Sequence, residues 1–145
     1  MDTIRTFIAI DTPEEFKQVI GSVQHELKQV HADVRWELEK KFHITLKFLG
    51  DVKEKTLPGI VSHLESVTRD CASFDITYRG LGCFPNMKFP KIIWVGAYNE
   101  DGNLLTLQTT IEDELISFGF KREKNPFTPH ITTGRVKGER GIRDL

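Results

Sequence analysis

The tripeptide His-Ile-Thr occurs twice, at 43–45 and at 130–132, and the chain around the first copy recurs around the second at the same offset of 87 residues. Aligned on that offset, Ile4–Ile10 lies over Lys91–Ala97, the apolar-periodic run from Glu14 to Val30 lies over Asp101 to Ser117, and the His43 strand lies over the His130 strand. A repeat of elements as well as letters confines the chain to a duplicated architecture. The expectation is an α+β, two-lobed fold in which antiparallel sheets form a central cleft and helices cover the outer faces. Because a strand alternates its faces, each histidine shares a face with the threonine two positions later. Two such patches could face one substrate.

The remaining elements follow from periodicity and punctuation. Thr6–Ile10 reads as a buried strand, and Thr12-Pro13-Glu14-Glu15 supplies cap, first-turn proline and acidic first turn for a helix reaching about Val30. Phe16, Val19, Ile20, Val23, Leu27 and Val30 form its apolar stripe, with Lys17, Gln18 and Glu26 in solvent. Strands are expected at Val34–Leu38, at His43–Leu49 ending on Gly50, at Phe74–Tyr78, at Ile92–Tyr98 and at Ile131–Val136. A second helix falls near Lys53–Thr68, with Pro58-Gly59 marking a late start or a kink, and a third near Asn103–Ser117. After the second His-Ile-Thr only Lys137–Leu145 follows, whereas the first is followed by a helix and a strand. The repeat therefore predicts one two-lobed domain over 1–145 that lacks a C-terminal portion of roughly 35 to 40 residues, going by ordinary element lengths.

Twenty basic residues against 21 acidic ones give a net charge of −1, so no global positive field draws long nucleic acid to the surface. A small or terminal phosphate ligand fits that balance. Cys71 and Cys83 offer neither a metal-ligand pair nor the staple density of a small secreted domain, and no apolar run approaches the roughly 18 residues that span a membrane. The expectation is a cytoplasmic protein that meets no membrane.

The histidines carry the chemistry. An imidazole with an ordinary pKa near 6.5 can accept or donate a proton near neutrality, so one ring can activate a water while the other protonates the departing oxygen across one phosphorus. Each transfer contributes roughly 10²- to 10⁴-fold. Thr45 and Thr132 offer hydroxyls to the non-bridging oxygens. Taken singly, either histidine reads as a structural side chain at a strand start; two matched copies favour joint catalysis. No metal or other cofactor is implied, because neither copy brings a cysteine or carboxylate at zinc spacing. Gly80, Gly82, Gly96 and Gly102 form no Walker cradle, which excludes kinase and ATPase readings. Lys47 shares the face of His43 and Thr45 and is the better candidate for a charged pocket wall. Arg135 could approach a phosphate, although strand parity sends it to the face opposite His130 and Thr132. Trp36, Phe42, Phe84 and Trp94 read as core more readily than as base-stacking platforms.

The same residues resemble the two-histidine phosphoesterase superfamily, and within it the RNA 2′,3′-cyclic phosphodiesterase branch, also described as 2′-5′ RNA ligases. The resemblance runs through Arg5–Ile10, Val34-Arg35-Trp36, His43–Gly50, Gly80–Pro85, Phe118-Gly119-Phe120 and Pro126–Thr132, with Arg135 in the family's basic position. It implies His43 as proton donor, His130 as proton acceptor, and Thr45 and Thr132 as phosphate contacts. The implied reaction opens an RNA-terminal 2′,3′-cyclic phosphate to a 2′-phosphomonoester, with reverse-type 2′-5′ joining in some members. The implied partners are RNA 3′ ends bearing the cyclic phosphate, tRNA fragments among them, with no obligatory protein partner. Two departures stand out: Thr133-Gly134 replaces an aliphatic residue followed by a small one, and the family's tail of two further strands is missing. Competing readings are a phosphodiesterase for another small cyclic phosphate, a noncatalytic RNA-end binding module, and a structural protein using an open sheet edge.

Overall fold

The computed structural model describes residues 2–145. They form β1 (Thr3–Asp11), α1 (Glu14–Lys28), β2 (Val34–Trp36), β3 (His43–Lys53), α2 (Leu57–Arg69), β4 (Thr77–Phe84), β5 (Ile92–Tyr98), α3 (Asn103–Leu115) and β6 (His130–Val136). The strands hydrogen-bond in the order β1-β3-β6-β5-β4, with β2 also on β6, so the α+β reading holds. By contacts the chain divides into two compact units. No helix among the described residues is long and apolar enough to cross a membrane.

The first unit holds the chain up to Ala9, Thr45–Thr77 and Tyr98–Pro129. Its core is Leu46, Leu49, Val52 and Ile60 with the α3 stripe Leu104, Leu107, Ile111 and Leu115, all buried. Each such side chain contributes roughly 1.5–3 kcal/mol by leaving water. Helix α2 starts late, at Leu57, with Pro58 in its first turn, the one place where a missing N–H costs no helical bond. Gly59 then lets Phe118 pack close: a Cβ there would stand 3.1 Å from the ring. Strand β3 runs past its expected stop, because Gly50 turns the backbone at φ 73 without ending the pairing and the strand continues to Lys53.

The second unit holds Ile10–Ile44, Tyr78–Ala97 and His130–Leu145. Here α1 departs from its expected face. Pro13, not Thr12, is the N-cap, and its carbonyl accepts the amides of Phe16 and Lys17, both at 3.0 Å. The buried stripe is Lys17, Ile20 and Gln24, while Phe16 and Val19 are 41% and 62% exposed. The helix is thus turned about one residue from the position apolarity alone predicts, because two long polar side chains find fixed partners underneath. Gln24 donates through Nε2 to the carbonyls of Glu37 (2.8 Å) and Thr133 (2.9 Å), and Lys17 reaches the turn that precedes His43.

Strand β4 begins later than expected and continues through Gly80 and Gly82, which the sequence marks as loop. Gly82 is required for packing, since a Cβ there would collide with the Trp94 ring. Along β6, β5 occupies one side from His130 to Arg135. The other side is shared: β3 pairs at Ile131, and β2 takes over from Gly134 to Val136.

Candidate active site

His43 opens β3 and His130 opens β6. Ile44 pairs with Ile131 in an antiparallel ladder, and both are fully buried. One step either way along that ladder places His43 opposite Thr132, on the face turned away from the core. His130, two residues before Thr132, is then the diagonal neighbour of His43, roughly 7–8 Å away across the strands. Half-buried His43, His130 and Thr132 alternate with buried Ile44, Ile131 and Thr133, as that face assignment demands. Thr45 follows His43 by two on β3 and shares its face by the same alternation. Two imidazoles at this spacing can address one tetrahedral phosphorus from two directions.

The rings are held. Nδ1 of His43 lies 2.6 Å from the Lys41 carbonyl, which makes Nδ1 the protonated donor and turns Nε2 to the other side of the ring. The turn that presents this carbonyl is itself braced from α1. Nζ of buried Lys17 donates to the carbonyl of Lys40 at 3.0 Å and pairs with Asp11 at 2.9 Å. The Lys17 hydrogen bond, aided by the Thr12 amide, holds the Asp11 carboxyl below its usual range, and His43 adds a smaller pull in the same direction. His130 packs edge-on against Phe84, with ring centroids 4.9 Å apart, and Trp94 lies 6.3 Å from it at a tilt. Of the four aromatics considered from sequence, these two therefore border a site histidine, whereas Phe42 is core and Trp36 covers Gly134.

Beyond Thr132 the strand is irregular. Trp94 pairs with Thr132 but Ile93 pairs with Gly134, so Thr133 is an extra residue, a β-bulge. Its side chain is 2% exposed and its hydroxyl donates to the Ile93 carbonyl at 3.2 Å, which accounts for a polar residue at a buried position. Gly134 is forced as well, because a Cβ would stand 2.7 Å from Val34. The bulge also reverses strand parity. Arg135 pairs with Ile92, which shares the face of Trp94 and hence of Thr132, so Arg135 belongs to the histidine face rather than the opposite one. It is exposed, and its Nε donates to Glu37 at 3.3 Å. The sequence signal for this correction is Thr132-Thr133-Gly134 itself, since a glycine inside a strand often marks a bulge. Thr133→Val should keep the shape but remove the donor, lowering stability by about 1–2 kcal/mol. An unchanged urea midpoint would contradict this role of the hydroxyl.

Lys47 is corrected in the other direction. Strand parity places it on the His43 face, but that face is covered at Lys47. The ammonium is buried, 2.8 Å from Glu112 Oε1 and 2.8 Å from the Lys121 carbonyl, so it closes an internal ion pair instead of lining a pocket.

A family model described as LigT-like phosphoesterase matches residues 10–94. The RNA 2′,3′-cyclic phosphodiesterase of Methanothermobacter thermautotrophicus is 35% identical over 137 residues, covering 94% of this chain and 73% of that protein. The protein of the same description from Thermotoga maritima is 39% identical over 134 residues, covering 92% and 71%. Among solved structures, the TT0787 protein of Thermus thermophilus superimposes with a TM-score of 0.85 at 27% identity, over 94% of this chain and 76% of that one.

Proposed function

This chain belongs to the LigT-like phosphoesterase family, and we propose that it hydrolyses the 2′,3′-cyclic phosphate at RNA 3′ ends by paired histidine acid and base catalysis. The observation that carries the reading is the diagonal placement of His43 and His130 on one sheet face, joined to relatives that bear this activity in their names. In the proposed step His130 takes a proton from water as the water oxygen bonds to phosphorus. The bond from phosphorus to O3′ breaks, and His43 delivers its proton to that oxygen, leaving a 3′-hydroxyl and a 2′-phosphomonoester. Thr45 and Thr132 donate to the non-bridging oxygens, whose charge grows in the five-coordinate transition state. Arg135, now on the same face, is the cationic substrate contact. With an RNA 5′-hydroxyl in place of water, the same displacement gives a 2′-5′ linkage.

RNA ends, tRNA fragments among them, are the proposed substrates, and the reaction calls for no obligatory protein partner or metal. The proposed location is the cytoplasm. The test is a short oligoribonucleotide ending in 2′,3′-cyclic phosphate, incubated with the protein in EDTA, with product identified by mass and by phosphorus NMR. The 2′-phosphomonoester is expected. A 3′-phosphate product would refute the assigned leaving group, and binding without turnover would favour an RNA-end binding module.

A further inference from the structure

We propose that Arg35 and Arg135 form a second phosphate site, taking the phosphodiester on the 5′ side of the terminal nucleotide. This inference rests on the RNA-end reading above. Arg35 and Arg135 are directly paired across β2 and β6, so their side chains leave the sheet on the same face. Through the Thr133 bulge that face is the one carrying Thr132, His130 and His43. Both arginines are exposed. Like charges directly opposite one another destabilise a sheet, and an anion bound between two such cations relieves that repulsion. The protein supplies half of one: Glu37 accepts from Arg135, whereas Arg35 has neither an ion pair nor a side-chain hydrogen bond among the described residues.

Two guanidinium forks against one carboxylate leave a positive spot on a chain whose net charge is −1. A planar fork matches phosphate oxygens two at a time. Thr132 and Arg135 face Trp94 and Ile92, which are two residues apart, so the bulge leaves them about 7 Å from each other at an ordinary strand rise, before the reach of the arginine side chain is counted. A cyclic phosphate between the histidines therefore puts the next backbone phosphate within range of the pair. The site would distinguish an RNA end from a free cyclic nucleotide, which has no second phosphate.

Turnover of a nucleoside 2′,3′-cyclic monophosphate should be compared with that of a dinucleotide ending in the same group, for wild type and Arg35→Gln. Arg35→Gln is expected to lower kcat/KM on the dinucleotide roughly tenfold, chiefly through KM, as loss of one charged hydrogen-bonding contact does. The mononucleotide value should stay within about twofold, since its one phosphate sits at the histidines. The slope of log kcat/KM against log salt should fall by about 1 for the dinucleotide alone. A dinucleotide with a neutral methylphosphonate linkage should erase the difference between the two proteins. Equal loss on both substrates, or no loss on either, would overturn the site. If wild type turned over neither substrate, the hydrolase reading would fall, and calorimetric affinities of the two proteins for an uncyclised dinucleotide would still decide the site: equal affinities overturn it, weaker binding by Arg35→Gln supports it.

Discussion

Alanine at His130 is expected to leave a folded protein whose turnover of RNA-terminal cyclic phosphate falls by roughly 10²- to 10⁴-fold, and alanine at His43 is expected to do the same. Both rings are only half-buried at strand starts, and the neighbouring Ile44 and Ile131, fully buried, carry the packing. The loss should therefore appear in activity and not in the thermal midpoint. Because the two act on one displacement, the double variant should cost little more than either single one. The pH profile separates the roles. A general base must be unprotonated and a general acid protonated, so wild-type kcat/KM should be bell-shaped. His130→Ala should remove the dependence on the acidic limb, and His43→Ala the dependence on the alkaline limb. A substrate with sulfur in place of O3′ sharpens the assignment, since a thiolate leaves without a proton. It should rescue His43→Ala and not His130→Ala; rescue of the reverse pattern would exchange the two roles, and undiminished turnover in both folded variants would sink the mechanism.

Much of the site is legible in the sequence because the repeat brings matched histidines to matched strand starts, and strand alternation fixes the threonines with them. The errors come where alternation fails or burial is not apolar. Parity sends Arg135 to the wrong face, and one extra residue, Thr133, reverses it. The parity that assigns Lys47 a pocket is correct locally, but no sequence pattern reveals Glu112, 65 residues later, waiting over the same position. Lys17 reads as solvent-facing because long polar side chains usually are, and Gln24 lies outside the apolar stripe read from the sequence. Each is buried against backbone carbonyls of Lys40, Glu37 and Thr133, acceptors that carry no residue identity and so leave no trace in the sequence. The late start of α2 is legible, since Pro58 permits few alternatives.

The Lys47–Glu112 pair carries the largest expected effect on stability. The side chains are 5% and 8% exposed, and each is further engaged: Lys47 by the Lys121 carbonyl, Glu112 by the Glu123 amide at 3.1 Å and by Gln108 at 3.4 Å. Gln108 in turn donates to the Leu46 carbonyl at 3.2 Å, so one carboxylate joins β3, α3 and the segment that leads toward His130. Removing one partner strands the other charge away from water, which costs about 3–5 kcal/mol. Lys47→Met should therefore lower the melting temperature by roughly 6–20 °C for a chain of this size. Lys47→Met with Glu112→Leu should recover much of that loss, because the penalty lies in the unpaired charge and not in the absent attraction. The recovery is what distinguishes a buried ion pair from a merely well-packed lysine stem: a double variant no more stable than Lys47→Met alone would show that the aliphatic packing, and not the charge, holds β3 to α3.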